Sequence, residues 1–205
     1  RDFFGTIDSI SPEQVTVKIT EEEAAGTELL NKIYLFQALP KGERMEYVIQ
    51  KAVELGVYEI IPVSMKYCVV KLDDKKAKKK QERWQAIAES AAKQAKRSLI
   101  PKIKPVMNYK EAVAYAKQCE VCLVPYENER GMQATREALD GIQTGKSISV
   151  IIGPEGGFSK EEIDYVREDM QVISLGKRIL RTDTAAIAVM SMLMLEIEMS
   201  DDAKE

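Results

Sequence analysis

There is no histidine among the 205 residues. Imidazole is thereby unavailable as a general base, and both the Ser-His triad and every metal site that needs a His ligand are excluded. Cysteine is scarce. Cys68 stands alone, and Cys119-x-x-Cys122 has no second pair with which to complete a zinc site, so no metal is expected. That C-x-x-C sits where a helix passes into a strand and reads as core packing. An odd, sparse thiol count suits a reducing cytoplasm. No apolar stretch is long enough for a membrane: residues 185–195 form the longest, and Glu196 ends it well short of the roughly 20 residues of a bilayer span. No leader peptide is read, although Arg1 already lies inside what reads as a strand, so a preceding segment is expected. The P-loop signature is missing too. A dinucleotide-dependent oxidoreductase would need a glycine-rich turn after the first strand and an acidic residue about 20 positions on, which Pro40-Lys41-Gly42 does not provide.

What the chain does have is ordinary bulk composition and an uneven charge. At 45% hydrophobic content, 205 residues can bury one good core and a small second unit. The net charge of -3 argues by itself against a nucleic-acid partner. Its distribution argues the other way: residues 66–104 hold 13 Lys or Arg against 4 Asp or Glu. A basic segment on an acidic chain is a footprint for a polyanion, against the plainer reading of a solvated helix face.

In order, residues 3–10 and 14–20 read as two strands joined by Ser9-Ile10-Ser11-Pro12, and 21–28 as an acidic linker. Two strands need partners to be stable. From residue 32 strands and helices alternate. Residues 33–39 form a strand stopped by Pro40; Met45, Val48, Ile49, Ala52 and Val53 recur at helical spacing up to Gly56; and 57–63 is the next strand, making a βαβ unit with a parallel pair. A long helix is expected over 75–97, with lysines crowding first turns whose dipole disfavours them. A short strand at 103–106, a helix at 109–117, a strand at 121–125, a helix at 131–139 and a strand at 147–152 follow. Ser159 and Glu162 form a capping box for the next helix, and residues 172–175 a short strand. The last helix, 184–199, is apolar nearly all round, which places it in the core or against a second subunit.

Two loops stand out. The strand at 147–152 empties into Gly153-Pro154-Glu155-Gly156-Gly157-Phe158, where glycines let backbone N–H groups approach a ligand closely. The second runs from Leu175 through Gly176, Lys177, Arg178, Ile179, Leu180, Arg181, Thr182 and Asp183 to Ala185. Both lie at carboxyl ends of strands, the edge at which open α/β sheets bind ligands.

Together with Lys41-Gly42 and the run Gln50-Lys51-Ala52-Val53-Glu54-Leu55-Gly56-Val57, these loops resemble the RsmE family of 16S ribosomal RNA uracil-N3 methyltransferases, in the SPOUT superfamily. The resemblance covers residue 33 to the end and takes in the two opening strands as well. It implies an α/β fold: a SPOUT-type parallel sheet with a C-terminal trefoil knot over 29–205, preceded in 1–28 by a remnant of a PUA-like RNA-binding β-barrel and a linker. It also implies S-adenosylmethionine as cofactor, 16S rRNA or the small ribosomal subunit as partner, and a homodimer formed through the final helix. Carried onto this chain, the cofactor would lie among Val124, Pro125, Gly153, Pro154, Glu155, Gly156, Gly157, Leu175, Gly176, Ile179, Leu180, Thr182, Thr184 and Ala185.

With histidine absent, the proton on uracil N3 must leave to a carboxylate, to water, or under the influence of a group that stabilises the uracil anion. Arg181 is expected to hold the base or a flanking phosphate and to stabilise that charge; Asp183 is the weaker candidate, for proton acceptor. Lys41, Lys71, Lys76, Lys78, Lys79, Lys80 and Arg97 are expected on rRNA phosphates. The chain departs from the family at Asp183, where Glu is usual, at Lys177, where Pro is frequent, and around Gln94 and Arg97, the two positions it retains of a longer motif. A non-catalytic RNA-binding assembly protein would keep the basic helix without cofactor affinity.

Overall fold

The computed structural model describes residues 2–23, 26–129 and 131–202. Parallel strands need crossovers, and the alternating sequence pattern supplies them. In chain order, β3 (Lys32–Ala38), α1 (Arg44–Glu54) and β4 (Glu59–Ser64) form the first βαβ unit. It continues through α2 (Asp74–Gln94), β5 (Lys102–Ile103), β6 (Met107–Asn108) and α3 (Tyr109–Ala116). Then come β7 (Val121–Pro125), α4 (Gln133–Asp140), β8 (Ser147–Ile152), α5 (Lys160–Val166), β9 (Gln171–Ile173) and α6 (Thr182–Asp202). The sheet order is β5-β4-β3-β8-β7-β9, with β6 also on β4, and every pairing is parallel. Strands β3 and β8 sit at the centre and are almost wholly buried, with mostly apolar side chains, as strands covered on both faces are.

The short helices are fixed by their caps. In α3, Asn108 accepts from the Glu111 N–H while Glu111 reaches back to the Asn108 N–H; in α5, Ser159 and Glu162 do the same. Glu162 is nearly buried, and its second carboxylate oxygen accepts from the Lys66 N–H at 2.9 Å, so one side chain caps a helix and pins the loop after β4. Helix α2 starts at an Asp73 cap and ends at Gln94, three residues before the expected end. The expected single strand at 103–106 is two short pieces, β5 and β6, interrupted at Pro105.

Helix α6 buries Ala186, Val189, Met190, Leu193 and Ile197 and packs on α1, β3 and β8. Leu195 and Met199 on its outer side are more than half exposed. At the other end of the chain, β1 (Asp2–Ile10) and β2 (Val15–Glu23) pair antiparallel as a two-stranded sheet of their own. Phe3, Phe4, Ile7, Ile10, Val15, Val17 and Ile19 are all exposed there, as on a sheet whose packing partner is not among the described residues. The linker expected over 21–28 is shorter than that: β2 continues to Glu23, Ala24 and Ala25 lie outside the described residues, and Glu28 is tied to the main body by Arg97 and the Leu99 N–H.

Candidate active site

Strands β8, β7 and β9 end side by side, and the loops that leave them close a cavity of about 380 Å³. That lies within the roughly 300–1,000 Å³ of small-molecule sites. Its wall is built from Pro125 to Glu127 after β7, Ile152 to Phe158 after β8, and Leu175, Gly176 and Arg178 to Thr182 after β9, closed by Ala185. The two glycine-punctuated loops, separate in sequence, thus face one space.

The β8 loop is held close to its neighbours, and this is why it carries glycine. Gly157 has φ +73°, and a Cβ there would stand 2.3 Å from Glu127 Oε1. A Cβ on Gly156 would meet Tyr67 Cβ at 2.9 Å, and one on Gly153 the Phe158 ring at 2.8 Å. Glu155 secures the loop from outside: its Oε1 accepts from the Lys41 N–H and from the Arg44 guanidinium, each at 2.9 Å. Glu155 lines the cavity, yet one of its oxygens is already committed to the β3–α1 loop.

Thr182 is likewise engaged. Its hydroxyl donates to the Gly153 carbonyl at 2.7 Å and accepts from Gln37 Nε2 at 2.9 Å. By contrast, no ion-pair partner among the described residues reaches the exposed guanidinium of Arg181 or that of Arg178, and the Glu127 carboxylate is equally uncommitted. The cavity therefore offers apolar faces from Ile152, Phe158, Leu175 and Leu180, backbone groups from the glycine loop, and a mouth with two cations and one anion. These features suit a planar heterocycle joined to a charged tail.

All but two of the expected cofactor residues line this space. Val124 does not, because its side chain is fully buried in the sheet core, and Thr184 does not, because it points outward from α6. Asp183 is also off the cavity: it lies in the first turn of α6, where the helix dipole favours a negative charge, with Oδ1 buried and lacking a hydrogen-bond partner among the described residues. Asp183 therefore does not line the cavity wall in this structure. Sequence reading placed Phe158 and Arg178 in the two loops but named neither of them, nor Ile152, Tyr126 or Glu127, as a cofactor residue. The Gly153 contact with the Phe158 ring is invisible in a linear pattern.

The expected RNA residues divide. Lys41, Lys71, Lys76, Lys78 and Lys79 are exposed and Lys80 partly so; Lys76 pairs with Asp73 at the α2 cap. Tyr67, in the segment that leads to Lys71 and α2, packs against Gly156 of the β8 loop. Arg97 is a correction. Its side chain is 4% exposed, it pairs with Glu28, and it donates to the carbonyls of Val53 and Val57 at 3.0 and 2.7 Å. Four of its five N–H donors are used inside the protein, and a guanidinium so enclosed is not open to a phosphate.

No helix among the described residues is long and apolar enough to cross a membrane, and no group of three or more His, Cys, Asp or Glu among them could hold a metal. Residues 27–194 match the family model of the RNA methyltransferase domain. The chain is 36% identical over 197 residues to ribosomal RNA small subunit methyltransferase E of Bacillus subtilis (strain 168), covering 94% of this chain and 77% of that one. It is 38% identical over 181 residues to the protein of the same name from Mesomycoplasma hyopneumoniae (strain 232), covering 88% and 77%. Among solved structures it resembles the Neisseria gonorrhoeae ribosomal RNA small subunit methyltransferase E bound to S-adenosyl methionine, with a TM-score of 0.77, 30% identity, and coverage of 94% and 78%. A parallel sheet closed by these loops, and likeness at this level over nearly the whole chain, lead to one assignment: the chain belongs to the ribosomal RNA small subunit methyltransferase E family.

Proposed function

We propose that the chain transfers the methyl group of S-adenosylmethionine to N3 of a uridine in 16S ribosomal RNA. The observation that carries this reading is the single cavity onto which the 153–158 and 175–182 loops converge. When bound, the cofactor supplies an electrophilic methyl on a sulfonium. A C–N bond forms at N3 as the C–S bond breaks, the N3 proton passes to solvent, and the thioether leaves as S-adenosylhomocysteine.

The protein's own residues orient and stabilise. Ile152, Phe158 and Leu180 offer apolar surface to an adenine ring, and the 153–157 backbone offers N–H groups. Arg181, exposed at the mouth and with no carboxylate partner among the described residues, is the group proposed to stabilise negative charge on the uracil oxygens. With no histidine in the chain and Asp183 outside the cavity lining, preorganised charge is the principal means of making N3 nucleophilic. Lys41, Lys71, Lys76, Lys78, Lys79 and Lys80 hold rRNA phosphates.

The finer architecture belongs to the same proposal. The loops around α6 form a trefoil knot. The β1–β2 hairpin within residues 1–28 is part of a PUA-like barrel, which accounts for its exposed apolar side chains. Two copies associate through the outer side of α6, where Leu195 and Met199 are exposed, and the enzyme works in the cytoplasm. Titration calorimetry with S-adenosylmethionine, paired with methyl incorporation into 16S rRNA and into small subunits, tests the reading. Micromolar binding with transfer to one uridine N3 is expected; absence of binding would leave an RNA-binding protein without catalysis.

A further inference from the structure

Gln37 is the one amide side chain at the centre of the sheet, fully buried in β3 between Pro62 of β4 and Ile152 of β8. The surrounding core is aliphatic, so a polar group there carries a desolvation cost unless its hydrogen bonds are worth keeping. Nε2 donates to the Ala38 carbonyl at 3.0 Å and to Thr182 Oγ1 at 2.9 Å. The Thr182 hydroxyl in turn donates a hydrogen bond to the Gly153 carbonyl at 2.7 Å. These partners fix the amide orientation: turned over, it would set an oxygen against the Ala38 carbonyl. In that orientation Oε1 has no hydrogen-bond partner among the described residues, an unfavourable arrangement that packing alone does not require.

The relay Gln37–Thr182–Gly153 spans three separated parts of the chain. Gln37 adjoins Ile152, the last residue before the glycine loop; Thr182 opens α6 directly after Arg181; and Gly153 and Thr182 both line the cavity while Gln37 does not. One buried side chain therefore sets the spacing between the two loops that must share a ligand. We infer that Gln37 is a positioning residue for the methyl-transfer site, holding the Arg181–Thr182 turn at a fixed distance from the 153–157 loop through the Thr182 hydroxyl.

This inference rests on the cofactor reading of the cavity, and its test separates the two. Calorimetry on the wild-type chain comes first: no S-adenosylmethionine binding overturns the cofactor reading and this inference with it. Given binding, Gln37→Met keeps length and apolar packing while removing both donors and the unpartnered oxygen. It is expected to melt at or above the wild-type temperature yet to bind S-adenosylmethionine about tenfold more weakly, with a lower kcat on rRNA. Thr182→Val should show a similar loss, and the double variant no more than the larger single loss, because both break one relay. Wild-type affinity and kcat in Gln37→Met, or losses that add in the double variant, would overturn the assignment. If Gln37→Met does not fold, Thr182 decides alone, since its replacements leave β3 intact: Thr182→Ser, which retains the hydroxyl, must bind at least fivefold more tightly than Thr182→Val, and equal affinities refute the relay.

Discussion

The two edges of the sheet use similar residues for opposite ends. At the carboxyl edge, beyond β7, β8 and β9, Arg178, Arg181 and Glu127 face a cavity with no ion-pair partner among the described residues. At the amino edge the polar groups are consumed locally. Arg97 is enclosed by Glu28 and two carbonyls. Glu59 accepts from the Tyr115 hydroxyl at 2.5 Å and pairs with Lys104, while Lys104 and Lys32 lie over the Tyr115 and Tyr58 rings. Burial and the adjacent Glu59 carboxylate push the Tyr115 phenol well above its ordinary range. Burial likewise pushes Cys119 up to about 11, so the C-x-x-C that sequence reading placed in packing carries a thiol that stays protonated at neutral pH. Charge therefore locates function poorly here. Charge left without a partner among the described residues, beside a cavity, sets the carboxyl edge apart.

The largest expected effect would come from opening the saturated edge. Arg97→Ala takes the guanidinium away from the Glu28 carboxylate and two carbonyls; breaking a buried pair costs about 3–5 kcal/mol, and Glu28, part-exposed and still bonded to the Leu99 N–H, puts this one at the lower end. For a chain of this size that is a fall in Tm of roughly 10 °C. Cofactor affinity of the folded protein should not change. Should thermal melting stay put while RNA affinity drops, Arg97 returns to the RNA surface and the contrast between the edges fails.

Next comes the mirror experiment. Arg181→Ala removes an exposed guanidinium with no ion-pair partner among the described residues, so Tm should hold while kcat falls about 10²–10³-fold, the scale seen when one transition-state donor is deleted. Turnover near wild type in a normally folded variant would remove Arg181 from the chemistry.

These two arginines also show how far the sequence could be read. Helix and strand positions followed from periodicity, and both glycine-bearing loops were recognisable because strand-loop-helix punctuation is local. Burial is not local. Arg97 closes a lysine-rich helical stretch and looks in sequence like its neighbours; only the approach of Glu28 and the end of α1 shows it to be internal. Val124 and Thr184 flank residues that do line the cavity, and alternation along a strand or rotation along a helix turns each away. Gln37 was passed over for a similar reason, since a polar residue inside a buried strand has meaning only once Thr182 arrives beside it. Glu155 was expected at the cofactor from the family resemblance, and the structure shows its carboxylate bracing the Lys41 N–H and Arg44.

A smaller effect should follow from charge reversal on the exposed start of α2. Replacing Lys76, Lys78 and Lys79 by Glu removes cations whose only described ion pair is the solvent-exposed one between Lys76 and Asp73, worth little to stability. RNA affinity should fall by more than tenfold at physiological salt, and the slope of log K against log salt should flatten by roughly 2–3. Cofactor affinity should not move. An unaltered slope would make the basic segment a solvated face and would leave the carboxyl edge as the whole of the RNA site.

The smallest effect concerns the amino edge under acid. The Lys146 ammonium, followed by the Ser147 N–H and hydroxyl, holds the Glu120 carboxyl down at about 2, against 4.5 unperturbed. A depressed carboxyl contributes stability that is fully present above the unfolded-state value and is lost as pH falls through the folded-state one. In Glu120→Gln the charge is gone at every pH, so its Tm should lie slightly below wild type at neutral pH, and the gap should narrow between about pH 4.5 and 2. Glu120 is well exposed to solvent, and screening keeps the gap small. A gap that widens toward acid would mean that Glu120 is better accommodated protonated than ionised, and that this edge is not the self-satisfied one the hydrogen bonds describe.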